Sequence, residues 1–545
     1  MFNTLLEGFP DKYTPNPQQL KLLKNIDQAF EDGYKFVVCA APTGSGKSFI
    51  SKTLGNVSTP PTESYTDLVM SYLAYKRTQT GAYMYEDECE DQKPFGAFAL
   101  TITKSLQDQY RELFPDINVL KGKSNYQCSV DQSLTVEHGP CIHSSKLKDE
   151  CWAKNRCPYY EDRNKALVST FSTLNYNMFF ALPKHLKRRE YLICDEASEL
   201  EDQIVKEFSI KLNFDFLKKC EISISPFPQN DYGKVGRWLS HISVSINDRM
   251  EDLKSIIGNN KHASAIFLAD KRAELLSLKN IHSKISAITS TWCDSEYLYE
   301  RESNGISFTP LKVNNLANHL FENGEKIVLM SATIIDPVNF CKTLGITKFK
   351  YIEAESTFDS AKAPIYVQTK IKLNHSNLQK NLNKIAKQVS DICDLHSQDK
   401  GIIHTHSNYI TEYLKNNISN NRILFREPGV NNEQLISQHT ISNEPTVLAS
   451  PSMSHGIDLK DDLARFQIII KAPYLPLVDK RVERMMKLDF NWYLNKMLSS
   501  LIQSCGRGIR SHKDHCVTYI LDGAVIEQVI RNKDKLPKYF IDRFV

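Results

Sequence analysis

Within eight positions, Ala41-Pro42-Thr43-Gly44-Ser45-Gly46-Lys47-Ser48 places two glycines, a lysine and a terminal hydroxyl. That pattern cradles phosphate. Gly44 and Gly46 let the backbone curl so that successive N–H groups converge on phosphate oxygens, Lys47 reaches the β- and γ-phosphates, and the Ser48 hydroxyl ligates magnesium. Ala41 stands where the strict pattern has Gly. A second group, Asp195-Glu196, brings two carboxylates. Asp195 is suited to hold magnesium, usually through water, and Glu196 to orient or deprotonate an attacking water. The third group is made of thiols: Cys128, Cys141, Cys151 and Cys157, with twelve, nine and five residues between them. Four thiolates can enclose a four-iron four-sulfur (4Fe-4S) cube. Zinc also accepts four thiolates, although structural zinc sites usually pair cysteines two to four residues apart and no such pair occurs here. Zinc and unligated thiols stay open as alternatives.

These groups need elements to position them. Phe36-Val37-Val38-Cys39-Ala40 predicts a buried strand that opens into the phosphate-type loop, and a helix starting there adds its positive end. Phe98 to Thr103 predicts a second buried strand, with a polar helix start at Lys104-Ser105-Leu106-Gln107-Asp108-Gln109-Tyr110. Tyr191 to Cys194 predicts a third, and it runs directly into Asp195-Glu196-Ala197-Ser198. Alternating units of this kind make a parallel sheet, whose carboxyl edge binds ligands. Between the first two strands, Thr59 to Pro94 is longer than an ordinary connection and reads as an insertion with no assigned task.

From about 205 to 320 the strand pattern stops. Val235, Leu239, Ile242, Ile246, Met250, Leu253 and Ile257, then Leu268, Leu275, Leu278, Ile285 and Ile288, fall at helical spacing. Two long helices are expected, turned at Gly258-Asn259-Asn260, with the apolar stripes packed on each other. Strands return at Lys326 to Met330, ahead of Ser331-Ala332-Thr333. A second series follows: Pro364 to Gln368, Gly401 to Thr405, Thr446 to Ala449, Phe466 to Lys471 and Cys516 to Leu521, with helical stretches such as Leu378 to His396 between. Two stacked α/β lobes are therefore expected.

At 545 residues the chain exceeds one core and should form roughly three or four domains. No apolar run is long enough to cross a bilayer, and Met1 to Pro10 lacks a secretion pattern, so a soluble cytoplasmic protein is expected. Thirteen cysteines then belong to a reducing compartment. Cys39, Cys194, Cys220, Cys341, Cys393, Cys505 and Cys516 read as buried core thiols. A net charge of +4 permits nucleic-acid binding without arguing for it. Around the four clustered cysteines, Lys121, Lys123, Lys146, Lys148, Lys154, Arg156, Arg163 and Lys165 interleave with Tyr126, Trp152, Tyr159 and Tyr160. Cations and aromatic faces suit single-stranded nucleic acid. Asp131, Glu137, Asp149, Glu150, Glu161 and Asp162 keep a plain solvated face as the other reading.

Read together, the motifs carry a family resemblance. Gln503-Ser504-Cys505-Gly506-Arg507-Gly508-Ile509-Arg510-Ser511 resembles the last motif of superfamily-two helicases, and Ser331-Ala332-Thr333 and Gly456-Ile457-Asp458 resemble their coupling motifs. Pro17-Gln18-Gln19 resembles the adenine-sensing element, with Gln19 the implied contact. A cysteine cluster ahead of Asp195 and a helical insertion after it make the chain similar to the iron-sulfur branch typified by XPD and DinG. The resemblance spans nearly the whole sequence.

That resemblance implies an α/β fold of two RecA-like parallel-sheet motor lobes with an inserted iron-sulfur domain and an inserted helical arch. The implied divisions are lobe one at 1–118, 165–204 and 323–345, the iron-sulfur domain at 119–164, the arch at 205–322, and lobe two at 346–545. ATP would bind at Gln19, the loop 41–48 and Asp458. Ser48 and Asp195 would hold magnesium, and Lys47, Asp195, Glu196, Gln503, Arg507 and Arg510 would carry hydrolysis. Arg507 and Arg510, three apart on a helix, share a face and can spread charge over a phosphoryl group in transfer. The implied activity is that of an ATP-dependent DNA helicase, a monomer that moves 5′ to 3′ on single-stranded DNA and opens forks. Two residues depart from the family pattern, Ser198 in place of His and His455 in place of Glu, both in motifs that link nucleotide state to DNA grip. They keep a second reading open, a nucleotide-gated clamp that binds DNA without unwinding it. An RNA substrate is also open, since nothing reads a 2′-hydroxyl.

Overall fold

A computed structural model describes the chain apart from residues 1–3, 43, 68, 70–92, 143–150, 152–156, 229–230, 261–263, 356–358, 375, 427–431, 452–458, 460 and 509–513. Most of the Thr59 to Pro94 insertion, the Gly456-Ile457-Asp458 motif with His455, and Arg510 therefore lie outside the described residues.

The first sheet has seven strands. In chain order they are β1 (Phe36–Ala40), β2 (Ala97–Thr101), β3 (Asn118–Leu120), β4 (Phe171–Asn175), β5 (Arg189–Cys194), β9 (Gly324–Ser331) and β10 (Phe349–Glu353), where β6 to β8 are the small sheet described below. Their spatial order is β10-β1-β9-β5-β2-β4-β3. The pairs β3 with β4, β4 with β2, β2 with β5 and β5 with β9 run parallel. A sheet covered on both faces by helices buries both sides of each strand, which explains why β2 is apolar almost throughout and wholly buried. At the start of β5, Arg189 is fully buried and lies flat on Phe98, 3.7 Å from the ring centre. It donates to the carbonyls of Leu167 at 2.8 Å and Arg188 at 2.7 Å, so its charge is met by ring faces and oxygens in place of water.

The second sheet has six strands, β11 (Ile365–Val367), β12 (Gly401–His404), β13 (Ile423–Phe425), β14 (Val447–Ser450), β15 (Phe466–Ile469) and β16 (Val517–Ile520). Their order is β11-β16-β15-β12-β14-β13, parallel throughout. Five of these six were legible as apolar runs. β13 was missed because three residues set among polar ones carry no periodicity.

The insertion after Asp195 contains the two expected helices, Tyr232–Asn259 and Ala265–Ser290. Gly258 and Asn259 close the first helix, so the turn begins later than Gly258-Asn259-Asn260 implied. Every residue of the first stripe is buried, and its core is shared with the second helix. Strands were not expected here, yet β6 (Ile210–Asn213), β7 (Tyr297–Glu302) and β8 (Gly305–Pro310) form an antiparallel sheet in the order β6-β8-β7. The overlooked signal is Asn304-Gly305 between two alternating runs, a hairpin dipeptide. Gly305 is required there, because a Cβ would lie 2.2 Å from the Leu212 carbonyl oxygen.

Compactness divides the chain into two units, one of residues 1–38, 48–330 and 341–350, the other of 39–47, 331–340 and 351–545. The short pieces 39–47 and 331–340, drawn from the sequence as parts of the first lobe, group with the second unit.

Candidate active site

β1 ends at Ala40, and the loop that follows turns on Gly44 and Gly46, both at φ +80°. A side chain with a Cβ adopts that conformation at a cost of about 1 kcal/mol or more, which is why both positions are glycine. Lys47 is the first residue of the helix Lys47–Val57. Its ammonium reaches the Ala41 carbonyl at 3.5 Å, and the Ala41 amide donates to the Ser331 carbonyl at 2.9 Å. Ser45 is buried, and its hydroxyl has no hydrogen-bond partner among the described residues. These features fit a phosphate.

Asp195 follows β5 directly and is buried. Its Oδ1 accepts from the Glu196 amide at 3.0 Å, and its own carbonyl accepts from the Tyr176 hydroxyl at 3.2 Å. Glu196 has φ +50°, left-handed for a residue with a side chain, a strain of about 1 kcal/mol or more that folds store where function fixes geometry. The turn lets two consecutive carboxylates leave one strand end in different directions.

Tyr110 is the residue that sequence reasoning overlooked. It sits on the helix Lys104–Leu113, is 1% exposed, and donates to Ser51 Oγ at 2.9 Å. Burial holds its hydroxyl well above the usual tyrosine range, and the neighbouring Asp195 carboxylate raises it further, while Ser51 and Ser48 act as hydrogen-bond partners that oppose the shift. One buried hydroxyl thus donates to Ser51, with Ser48 and Asp195, the two residues expected to hold magnesium, near enough to shift its titration. Tyr110→Phe should keep the fold, with stability lower by about 1 kcal/mol, and raise the magnesium concentration for half-maximal ATP hydrolysis by about fivefold. A magnesium titration identical to that of the parent chain would assign Tyr110 to packing alone.

Gln19 is buried and caps its own helix. Its Oε1 accepts from the Asn16 amide at 3.0 Å while Asn16 Oδ1 accepts from the Gln19 amide at 2.8 Å, a reciprocal capping box with Pro17 at the first helical position. The string that resembled an adenine sensor therefore has a structural task.

In the second unit, the helix Phe490–Cys505 carries Gln503, whose amide reaches Thr333 Oγ1 at 3.3 Å. Ser499 donates to the Thr333 carbonyl at 3.2 Å, Tyr539 to the Ala332 carbonyl at 3.2 Å, and Lys535 pairs with Asp336 at 3.0 Å. Ser331-Ala332-Thr333 is thus held by the helix that leads into Arg507. Arg507 stands close enough to the buried His404 that, after burial and His406, its charge helps press that imidazole down to about 3. His404 is therefore neutral at physiological pH. Gly508 is dictated by packing, since a Cβ would lie 2.3 Å from Cys516 Sγ.

The four clustered cysteines belong to the first unit and line one pocket of about 320 Å³, open mouth included, with Val136, Pro140 and Tyr160. Burial raises the Cys141 thiol, Lys123 opposes that shift, and Cys157, Cys128 and Cys151 add to it. A Cβ on Gly139 would lie 3.1 Å from Cys128 Sγ, so the glycine keeps room beside a thiol. Among the described residues, no three His, Cys, Asp or Glu side chains stand in a group that could hold a single metal ion. The described members of the surrounding set of cations and aromatics pack on one another. Tyr159 and Tyr160 are buried, Lys123 and Arg163 lie over them, Lys165 pairs with Glu161, and Lys121 pairs with Asp108. Lys146, Lys148, Trp152, Lys154 and Arg156 lie outside the described residues. The seven cysteines read as core thiols are all buried, and burial alone pushes Cys39 up to about 12, which makes it inert.

Residues 397–540 match the helicase C-terminal domain family. A structure titled XPD helicase superimposes with a TM-score of 0.57 at 17% identity, covering 96% of this chain and 98% of that one. The chain has the fold of an XPD-type helicase. An apo XPD structure agrees, with a TM-score of 0.54 at 16% identity over 94% of this chain and 98% of that one. So does an Xpd structure from S. tokodaii, at 0.53 and 14% over 94% and 97%. A search of curated proteins finds no match. Identities this low speak for the fold alone, so residue roles rest on geometry. No helix among the described residues is long and apolar enough to cross a membrane.

Proposed function

We propose that this chain is an ATP-dependent DNA helicase that moves 5′ to 3′ on single-stranded DNA and opens forked duplexes. The observation that carries the reading is the loop after β1, whose two glycines adopt the conformation a phosphate cradle needs and whose lysine opens a helix. Lys47 and the loop amides would hold the phosphates. Ser48 and Asp195 would hold magnesium, which when bound shields phosphate charge and polarises the γ-phosphoryl group. Glu196 would orient the attacking water, and Arg507 and Arg510 would spread the charge that develops in transfer. Gln503 and Ser499 hold Thr333, so the segment that follows β9 is tied to the helix that leads into Arg507.

The four cysteines fit a 4Fe-4S cube as ligands. Four thiols arranged around a common space whose lining is largely apolar suit a polynuclear centre. Such a centre would tie together distant parts of residues 119–164. A monomer in the cytoplasm is the matching expectation for the assembly and compartment.

The test is ATP hydrolysis measured with and without single-stranded DNA. A rise of about tenfold or more on adding DNA is expected, since a motor must couple the two sites. Equal rates would contradict a translocating motor.

A further inference from the structure

The helical insertion is tied to the end of the helix Leu200–Glu207 by the side chain of Lys284. Lys284, on the helix Ala265–Ser290, lies 77 residues from Glu207 in sequence. Its ammonium donates to the Glu207 carbonyl at 2.6 Å, to the Glu207 carboxylate at 2.9 Å, and to the Lys206 carbonyl at 3.1 Å. All three acceptors sit at the C-terminal end of the helix Leu200–Glu207, where carbonyls lack helical partners and the dipole is negative. A cation is the natural cap there.

That helix has a particular place in the chain. It begins directly after the short turn Ala197–Glu199, which itself follows Asp195-Glu196. Eight residues make a rod about 12 Å long, seated in the body by buried Leu200, Glu201 and Ile204. Its far end is packed as well as capped. Phe208 lies against Phe180 at 6.2 Å and His319 at 5.5 Å. The charges around it are Lys284, the buried Lys187, which faces Glu322 and Glu207, and the Lys184–Glu322 pair at 3.5 Å.

We infer that Lys284 is a positioning residue through which the inserted helices set the placement of Glu196. A shift of the insertion pulls on the capped end of the rod, and the rod is rigid enough to carry that shift to the left-handed turn at Glu196. DNA held by the insertion thereby alters the aim of the group that orients water. This rests on the helicase reading and adds a named route to it.

The experiment uses the full chain with Lys284→Met and Lys284→Arg. Lys284→Met should keep the basal rate and the KM for ATP within about twofold and lower the DNA stimulation ratio about fivefold or more, and Lys284→Arg should restore it. The melting temperature should fall by no more than about 3 °C, as for the loss of one partly exposed ion pair. Full stimulation in Lys284→Met overturns the inference, and so does an equal loss of basal and stimulated rates in both variants. A second readout is independent of turnover: in a Lys47→Ala background, adding a single-stranded oligonucleotide should change amide exchange across Leu200–Glu207 when Lys284 is present and not when it is Met. If the parent chain does not hydrolyse ATP, the motor reading fails by itself and this exchange difference decides the role of Lys284, with no difference overturning it.

Discussion

Lys47→Ala is expected to lower kcat for ATP hydrolysis by about a hundred- to a thousandfold, the usual consequence of removing one preorganised charge from developing phosphoryl charge. Lys47 is a first-turn residue whose ammonium reaches the Ala41 carbonyl at 3.5 Å, and melting curves separate any loss of stability from the loss of rate. Arg507→Ala should cost a similar factor, and the double variant should be little worse than the poorer single one, because groups that act on one transition state are not additive. Steady-state hydrolysis by the three proteins, beside their melting curves, checks this. A Lys47→Ala protein that keeps more than about a tenth of the parent rate would contradict the assignment.

Cys128→Ser is expected to be nearly as damaging by a different route. The thiol is buried at the pocket wall, and the serine hydroxyl that replaces it is a poor donor to iron. Iron and acid-labile sulfide after anaerobic purification should fall from about four each per chain to below about one. Because metal binding of this kind is folding energy for the segment that supplies the ligands, residues 119–164 should become sensitive to protease. Unwinding should be lost while DNA-independent hydrolysis stays within about threefold, since none of the four cysteines belongs to the nucleotide site. One zinc per parent chain, or no stoichiometric metal at all, would contradict the iron-sulfur reading and leave the motor standing.

Which parts of this molecule could be read from its residues follows from how local their causes are. Gly44 and Gly46 are dictated by the backbone angles of one loop, and Asp195 by the end of one buried strand, so short strings reveal them. The apolar stripes of the insertion were legible for the same reason, since a helix repeats its signal over seven turns. Tyr110 was not legible. On its helix it reads as one more core aromatic, and its meaning comes only from Ser48, Ser51 and Asp195, which arrive from other elements. Lys284 was hidden in the same way, as an ordinary polar position on an amphipathic helix. Gln19 shows the converse hazard, because a capping box and a base contact ask for the same residue type. Of the basic and aromatic residues near the cysteines, Tyr159 and Tyr160 are buried, which their sequence context does not reveal.

Unwinding of a forked duplex bearing a single tail, 5′ or 3′, tests the central claim most directly. The account predicts ATP-dependent strand separation from the 5′-tailed fork, none from the 3′-tailed fork, and none from either with Lys47→Ala. Tight binding to both forks with hydrolysis that ignores DNA and leaves the duplexes intact would contradict it.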